Sequence, residues 1–225
     1  MVLTGAGISA ESGLKTFRDS GGLWEGHDVM EVASIDGWRK NPELVLDFYN
    51  QRRSQAKQSK PNPGHIALAK LEEDFDVTIV TQNVDVLHET AGSHKVIHLH
   101  GNLFQSKSSV DESLIYDIGE EEIKMGDLCE KGSQLRPNIV WFGEMVPMME
   151  KAAAVTMQAD AFLVVGTSLV VYPAAGLVNY VSEMAPIYFI DPHIPEVSPR
   201  ENLFLFQEPA STGVIKAVDH LKKFL

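Results

Sequence analysis

The residues 5–13, Gly5-Ala6-Gly7-Ile8-Ser9-Ala10-Glu11-Ser12-Gly13, follow the apolar run Val2-Leu3-Thr4. A glycine-rich turn after a strand lets backbone amides approach a phosphate, and the helix N-terminus beyond it adds partial positive charge. Gly5 and Gly7 suit the tight turn, and Ala10 fits the small third position of a dinucleotide-binding pattern, though such a triplet also occurs in ordinary turns. A second chemical candidate is Ile97-His98-Leu99-His100-Gly101. Imidazole titrates near neutrality and serves as a general base, and strand alternation places His98 and His100 on one face. A third is the pair Tyr49 and Arg52, three residues apart in a helical segment and so on one helix face. A phenol and a guanidinium so placed can grip a carboxylate with charge-assisted hydrogen bonds. The plainer reading of that pair is an anchoring tyrosine and a surface arginine.

These residues need elements to position them. Apolar, β-branched runs predict strands at 2–4, 77–81, 95–99, 139–142, 161–165, 186–190 and 203–206. Continuous runs such as Phe162-Leu163-Val164-Val165 suit a parallel sheet buried on both faces, and the helical patterns between them imply βαβ crossovers. The predicted fold class is α/β: a Rossmann-like, doubly wound parallel sheet with a small, largely helical inserted module. Asn41-Pro42-Glu43 reads as a helix start. Val214, Val218, Leu221 and Leu225 recur at helical spacing, and Ser211 or Thr212 is a candidate cap. The large part is expected over 1–14, 61–101 and 139–225, and the small module over 15–60 and 102–138, the latter stretch polar and irregular. On a plain dinucleotide-binding reading, an acid should close the second strand. Glu25 and Asp28 lie at about the right distance, but Gly21-Gly22-Leu23-Trp24 reads as a loop.

Several motifs, in order, together resemble one family. They are GAGISAESG with Thr16-Phe17-Arg18 downstream, then Thr81-Gln82-Asn83-Val84-Asp85-Val86-Leu87-His88, then His100-Gly101. Val140-Trp141-Phe142-Gly143-Glu144, Gly166-Thr167-Ser168 and Val171-Tyr172-Pro173-Ala174-Ala175 complete the set. This chain resembles the sirtuins, NAD-dependent protein-lysine deacylases, over nearly its whole length. The resemblance implies NAD as co-substrate, bound by Gly5, Ala6, Gly7, Ala10, Thr16, Phe17, Arg18, Trp24, Gln82, Asn83, Asp85, Gly166, Thr167, Ser168 and Ala210. Asn83 and Asp85 would lie near the nicotinamide amide and Gln82 near the ribose. His100 and Asn83 would be catalytic. His100 is the implied base because it directly precedes the motif glycine, which leaves His98 structural.

In the implied reaction the acyl oxygen attacks C1′ of the nicotinamide ribose and nicotinamide departs. The histidine then helps a ribose hydroxyl attack the former acyl carbon. Free lysine, nicotinamide and O-acyl-ADP-ribose result. An extended acyl-lysine peptide would lie between Val140, Phe142, Gly143 and Glu144 on one side and Tyr172 on the other, held by backbone pairing. Phe142 reads equally well as core packing. Tyr49-x-x-Arg52 resembles the signature of sirtuins that remove succinyl and malonyl groups. Alternatives using the same NAD site are a protein mono-ADP-ribosyltransferase and a non-catalytic NAD or ADP-ribose sensor.

The chain departs from the family pattern in two respects. Ile190-Asp191-Pro192 stands where the family often has Asn-x-Glu, so Asp191 would have to take over an adenine-ribose contact. The other departure concerns metal. Most sirtuins hold zinc with two cysteine pairs, whereas Cys129 is the single cysteine here and 105–109 has neither Cys nor His. Tetrahedral structural zinc needs four ligands, so no metal is expected. The net charge of −12 disfavours nucleic acid as a partner. No apolar run is long enough to cross a bilayer and no leader pattern opens the chain, so a cytoplasmic monomer acting on acylated protein substrates, with no membrane partner, is expected.

Overall fold

The structure, a computed structural model, describes residues 1–14, 23–195, 197 and 200–224. In chain order the described strands are β1 (Val2–Thr4), β2 (Leu23–Trp24), β3 (His27–Asp28), β4 (Ile79–Thr81), β5 (Val96–His98), β6 (Gly101–Ser108), β7 (Ile115–Asp117), β8 (Leu135–Ile139), β9 (Phe162–Val165), β10 (Ile187–Ile190) and β11 (Leu203–Phe206). The α-helices are α1 (Ala6–Ala10), α2 (Val29–Val32), α3 (Ile35–Lys40), α4 (Pro42–Gln58), α5 (Pro63–Lys70), α6 (Leu87–Ala91), α7 (Met149–Met157) and α8 (Ala210–Leu221). None of the described helices is long and apolar enough to cross a membrane.

The chain divides into two compact units. The first comprises Met1–Leu14, Lys60–Leu99 and Val146–Leu225. Its centre is a six-stranded, all-parallel sheet of order β11-β10-β9-β1-β4-β5. Strand alternation divides its side chains between two cores. Val2, Ile79, Leu163, Val165, Tyr188 and Ile190 pack on one face with Leu68 of α5 and with Val214, Ala217, Val218 and Leu221 of α8. Leu3, Val80, Ile97, Phe162, Val164, Ile187 and Phe189 pack on the other with Ala152 of α7 and with Ala174 and Leu177. Burial of both faces explains why the strands read as unbroken apolar runs. This is the doubly wound parallel sheet expected from the sequence.

The cap of α8 differs from the expectation. Pro209 occupies the N-cap without a side-chain bond. Glu11, distant in sequence, accepts from the Ser211 amide at 2.9 Å and from its hydroxyl at 2.6 Å, which puts a negative charge at the helix's positive end.

The second unit comprises Lys15–Ser59 and His100–Met145. It is not largely helical. Beside α2, α3 and α4 it holds the β2-β3 hairpin and a three-stranded antiparallel sheet of order β7-β6-β8. The expectation that 102–138 is irregular fails because the inward residues of β6 are polar. Ser106, Lys107 and Ser108 are buried, so no apolar alternation marks the strand. The strand expected at 139–142 ends instead at Ile139 and belongs to this antiparallel sheet. Residues 139–145 therefore fall in the second unit. The Val140 amide donates to the His100 carbonyl at 2.9 Å, and the Phe142 amide donates to the Ala33 carbonyl at 2.9 Å. The apolar run past Ile139 reflects the burial of Trp141 against Trp38 and Tyr49, at centroid distances of 5.5 and 6.1 Å, and not a central strand. As the sequence implies, α4 starts at Pro42, with the Asn41 side chain accepting from the Leu44 amide at 3.2 Å.

Two residues of α4 tie down the 102–138 stretch. Arg53, fully buried, donates from Nε to the Leu103 carbonyl at 2.6 Å and from Nη1 to the Asn50 side chain at 2.8 Å and the Glu121 carbonyl at 3.1 Å. Asn50 in turn exchanges two 3.0 Å hydrogen bonds with the backbone of Ile123. Burial lowers the Arg53 pKa to about 10, against a smaller opposing pull from Glu122. Farther along, the Ser108 and Ser133 hydroxyls lie 2.8 Å apart, and the Cys129 thiol lies 3.1 Å from Ser133. Among the described residues, no three His, Cys, Asp or Glu side chains come together in a group able to hold a metal ion.

Candidate active site

In an open α/β sheet, ligands bind beyond the carboxyl ends of the strands where the strand order reverses. In the first unit that reversal lies between β1 and β9. The two loops that leave these strands press directly together. The Gly5 amide donates to the Val165 carbonyl at 3.0 Å, and the Gly7 amide donates to the Gly166 carbonyl at 2.8 Å. A Cβ on Gly7 would lie 2.7 Å from Gly166 Cα, and one on Gly166, whose φ is +63°, would lie 2.3 Å from the Ile8 amide nitrogen. The motif glycines are thus needed so that two loops of the same chain can meet. The amides of Gly5 and Gly7 are engaged inside the protein. Ala6 is half-buried, whereas Ala10 is exposed.

The β4 loop adds the polar groups. Asn83 donates from Nδ2 to the Gly5 carbonyl and to Ser9 Oγ, both at 3.1 Å. Gln82 donates from Nε2 to Thr167 Oγ1 at 3.1 Å, and Thr167 Oγ1 also accepts from the Leu169 amide at 3.3 Å. Asp85 is buried and accepts from the Leu87 amide at 3.1 Å; burial pushes its carboxyl up, against the pull of hydrogen bonds from Leu87 and Ser9. Ser9 therefore joins Asn83 to Asp85. It lies inside the glycine-rich motif, but its role as a hub has no signal in spacing.

A buried relay supports this loop from below. Thr4 Oγ1 accepts from His88 Nε2 at 3.0 Å and donates to Thr81 Oγ1 at 2.8 Å, and Thr81 Oγ1 accepts from the Asn83 amide at 3.0 Å. Burial holds the His88 pKa well below the usual imidazole range. His65, whose ring is 4.9 Å from that of His88, is lowered to about 4 by burial.

His98 behaves differently. Its Nδ1 donates to the Asn83 carbonyl at 3.1 Å and its Nε2 to Glu89 at 2.6 Å. Burial works against the charged ring, but Glu89 outweighs it, and the His98 pKa rises. With both nitrogens engaged, His98 orients the Asn83 loop. His100 does not share a strand face with it, because β5 ends at His98. The glycine after His100 is fixed by strand pairing: Gly101 has φ +87°, and a Cβ there would lie 1.9 Å from the Asn138 carbonyl oxygen.

The other expected cofactor residues fall variously. Asp191, at the end of β10, is buried and accepts from the His193 amide at 2.8 Å. Ala210 is buried in the core beside α5, so its side chain offers no ligand surface. Ser168 is half-buried in the β9 loop. Trp24 belongs to an aromatic cluster of the second unit, edge-on to Phe48 at 4.8 Å and Tyr49 at 6.2 Å. Thr16, Phe17 and Arg18 lie outside the described residues.

Within the second unit, Tyr49 and Arg52 do share a face of α4, and both are buried. Tyr49 Oη accepts from Trp141 Nε1 at 3.0 Å, and burial raises its pKa strongly. Arg52 Nη1 donates to Glu25 Oε1 at 3.0 Å and to Gln55 Oε1 at 2.8 Å. Arg52 is therefore no surface arginine. Glu25, its partner, was legible only as a badly placed ribose acid.

Among the expected peptide residues, Glu144 is committed internally. It forms a two-pronged pair with Arg136 at 2.7 and 2.9 Å and accepts from the Trp141 amide at 2.8 Å. Val140 is half-buried, while Phe142 and Gly143 are exposed, so Phe142 is not core packing. Tyr172, in the first unit, is 74% exposed.

An all-parallel sheet with a polar loop cluster at its reversal point defines an α/β domain of the nucleotide-binding kind. Residues 5–173 match the sequence profile of the Sir2 family. This chain belongs to that family. It is similar to an NAD-dependent protein deacylase of Helicobacter pylori, 52% identical over 210 residues, covering 93% of this chain and 89% of the relative. Another NAD-dependent protein deacylase, from Bacteroides thetaiotaomicron, is 49% identical over 230 residues, covering 100% and 97%. Among solved structures, a Sir2 homologue complexed with NAD matches with a TM-score of 0.88 at 38% identity, covering 100% of this chain and 89% of that one. A Sir2 protein with a deacetylated p53 peptide and 3′-O-acetyl ADP-ribose matches at a TM-score of 0.78 and 32% identity, covering 99% and 92%.

Proposed function

We propose that this protein removes acyl groups from lysine side chains of other proteins in an NAD-dependent reaction, and that succinyl and malonyl groups are among them. The observation that carries the reading is Sir2 family membership, joined to polar loops gathered at the reversal point of the parallel sheet. Relatives about half identical over nearly the full chain bear the deacylase name.

NAD supplies a ribose carbon that accepts the acyl oxygen as nicotinamide leaves. The loops after β1, β4 and β9 are the proposed NAD-binding elements, with Asn83 and Asp85 directed to the nicotinamide amide and Gln82 to the ribose. Their internal hydrogen bonds keep these side chains in fixed orientations before any ligand arrives. His100 takes the proton from a ribose hydroxyl. Gly143, Glu144 and Tyr172 contribute to holding an extended peptide, Glu144 through its backbone because its carboxylate serves Arg136.

Tyr49 and Arg52 are the proposed readers of an acidic acyl group. A phenol that accepts from Trp141 still has a proton to donate, and a buried guanidinium favours a carboxylate. Mass spectrometry of products from NAD with matched acetyl-, malonyl- and succinyl-lysine peptides tests the whole reading. Nicotinamide and O-acyl-ADP-ribose are expected with all three. ADP-ribosylated protein without deacylation would replace it with a transferase.

A further inference from the structure

The arginines of two guanidinium–carboxylate pairs act on Tyr49, and the pairs are built unlike each other. Both guanidinium groups influence its hydroxyl electrostatically. Arg136 grips Glu144 with two bonds, donates to the Ile139 carbonyl at 2.9 Å, and stacks 3.5 Å from the centroid of the Trp141 ring. Glu144 is further tied to the Trp141 amide. That pair is locked on both sides.

Arg52 is also held firmly. It comes from the middle of a helix of 17 residues, its side chain is 7% exposed, and it stacks on Trp24 at 5.2 Å. Glu25 is seated otherwise. It occupies the two-residue turn between β2 and β3, and each of those strands is only two residues long. Its φ is +51°, a left-handed conformation that a side-chain-bearing residue adopts reluctantly. Its side chain is 19% exposed, nearly three times the fraction of Arg52. One partner of this pair comes from a long helix; the other comes from a short hairpin and is the more exposed.

We propose that Glu25 is an internal competitor for the acyl-carboxylate site and so a specificity-determining residue. Its carboxylate neutralises Arg52 when the acyl group is neutral, and an acyl group ending in a carboxylate displaces it. This rests on Tyr49 and Arg52 being the readers of that acyl group. Charge counting gives the reason. If Glu25 stayed, the incoming carboxylate would meet an already neutralised arginine and a like charge within the same buried site. If Glu25 leaves, one carboxylate replaces another, and the released one goes to water from a position already partly exposed. An acetyl group makes no such demand, so Glu25 remains and keeps the buried cation paired.

The test measures kcat/KM for acetyl-, malonyl- and succinyl-lysine peptides in the full chain, with melting curves confirming folding. Glu25→Gln keeps the shape and removes the charge, and Glu25→Gly removes the side chain while suiting the positive φ. Both variants should raise the acidic-to-acetyl ratio about ten-fold, the scale of one charge-assisted hydrogen bond regained. Arg52→Met is the control for the underlying reading and should abolish the preference. If Arg52→Met lowers acidic turnover while both Glu25 variants leave the ratio unchanged, competition is refuted and the carboxylate reading stands. A drop in the ratio in both Glu25 variants would also overturn it, making Glu25 a support for Arg52. If Arg52→Met changes nothing, the reading beneath the proposal fails.

Discussion

The first unit gathers a cluster of polar side chains at its strand-end loops, while the second uses buried arginines to hold itself together. In the first, two apolar cores sandwich the sheet, and Gln82, Asn83, Asp85 and Thr167 cluster at the strand ends. In the second, Arg53 and the Arg136–Glu144 pair are buried structural contacts. A sheet buried on both faces needs only apolar runs to be specified. A small module whose strands bury polar residues relies on directional contacts, because leaving buried polar groups without partners is costly. Any chemistry proposed for the second unit must therefore be separated experimentally from its structural network.

His100→Ala makes the sharpest separation. Loss of a general base should lower turnover roughly 10²–10⁴-fold, while the melting temperature and NAD binding measured by calorimetry stay near wild type. Turnover close to wild type would remove chemistry from the second unit altogether.

Arg53→Met should have a large effect on the other axis. It leaves the carbonyls of Leu103 and Glu121 without this donor, and the expected loss is on the order of 3 kcal/mol. Hydrogen exchange read by mass spectrometry should show faster exchange over 100–145 than over the sheet. Uniform acceleration through both units would erase the contrast drawn above.

Arg52→Met and Tyr49→Phe should weaken kcat/KM for succinyl- and malonyl-lysine about ten- to a hundred-fold, with acetyl-lysine little changed or improved. Arg52→Lys should not restore the loss, since an ammonium lacks the planar fork. An equal fall for all three substrates would place both residues wholly within the structural network.

A smaller effect comes from the first unit's exceptions, His65 and His88, both buried and neutral. The unfolded chain binds a proton at His65 below the ordinary value of 6.5, whereas the folded one does so only near 4. Stability from this group is therefore complete above pH 6.5 and falls as pH drops from 6.5 towards 4. The slope should be about 1 kcal/mol per pH unit, read from urea unfolding at pH 7, 6 and 5. His65→Gln should remove this share of the slope and leave that of His88. The smallest expected effect is none: chelators should change neither melting nor turnover, and elemental analysis should find no stoichiometric zinc.

The sequence by itself determined the parallel sheet, because Val2-Leu3-Thr4 or Phe162-Leu163-Val164-Val165 can be buried on both faces in few other ways. It also determined the start of α4, where Asn41 and Pro42 act on the adjacent turn. The family motifs led to the loops of the reversal point by order and spacing. Tertiary structure alone decided what the glycines are for, since the close approach of Gly7 to Gly166 joins residues far apart in the chain. It alone decided that β6 is a strand, because buried Ser106, Lys107 and Ser108 hide the alternation that would announce it. It alone decided the partners of Arg52, Arg53 and Glu144. A buried charge is satisfied by whichever donor or acceptor the fold brings within about 3 Å, and no pattern along the chain records which one that is.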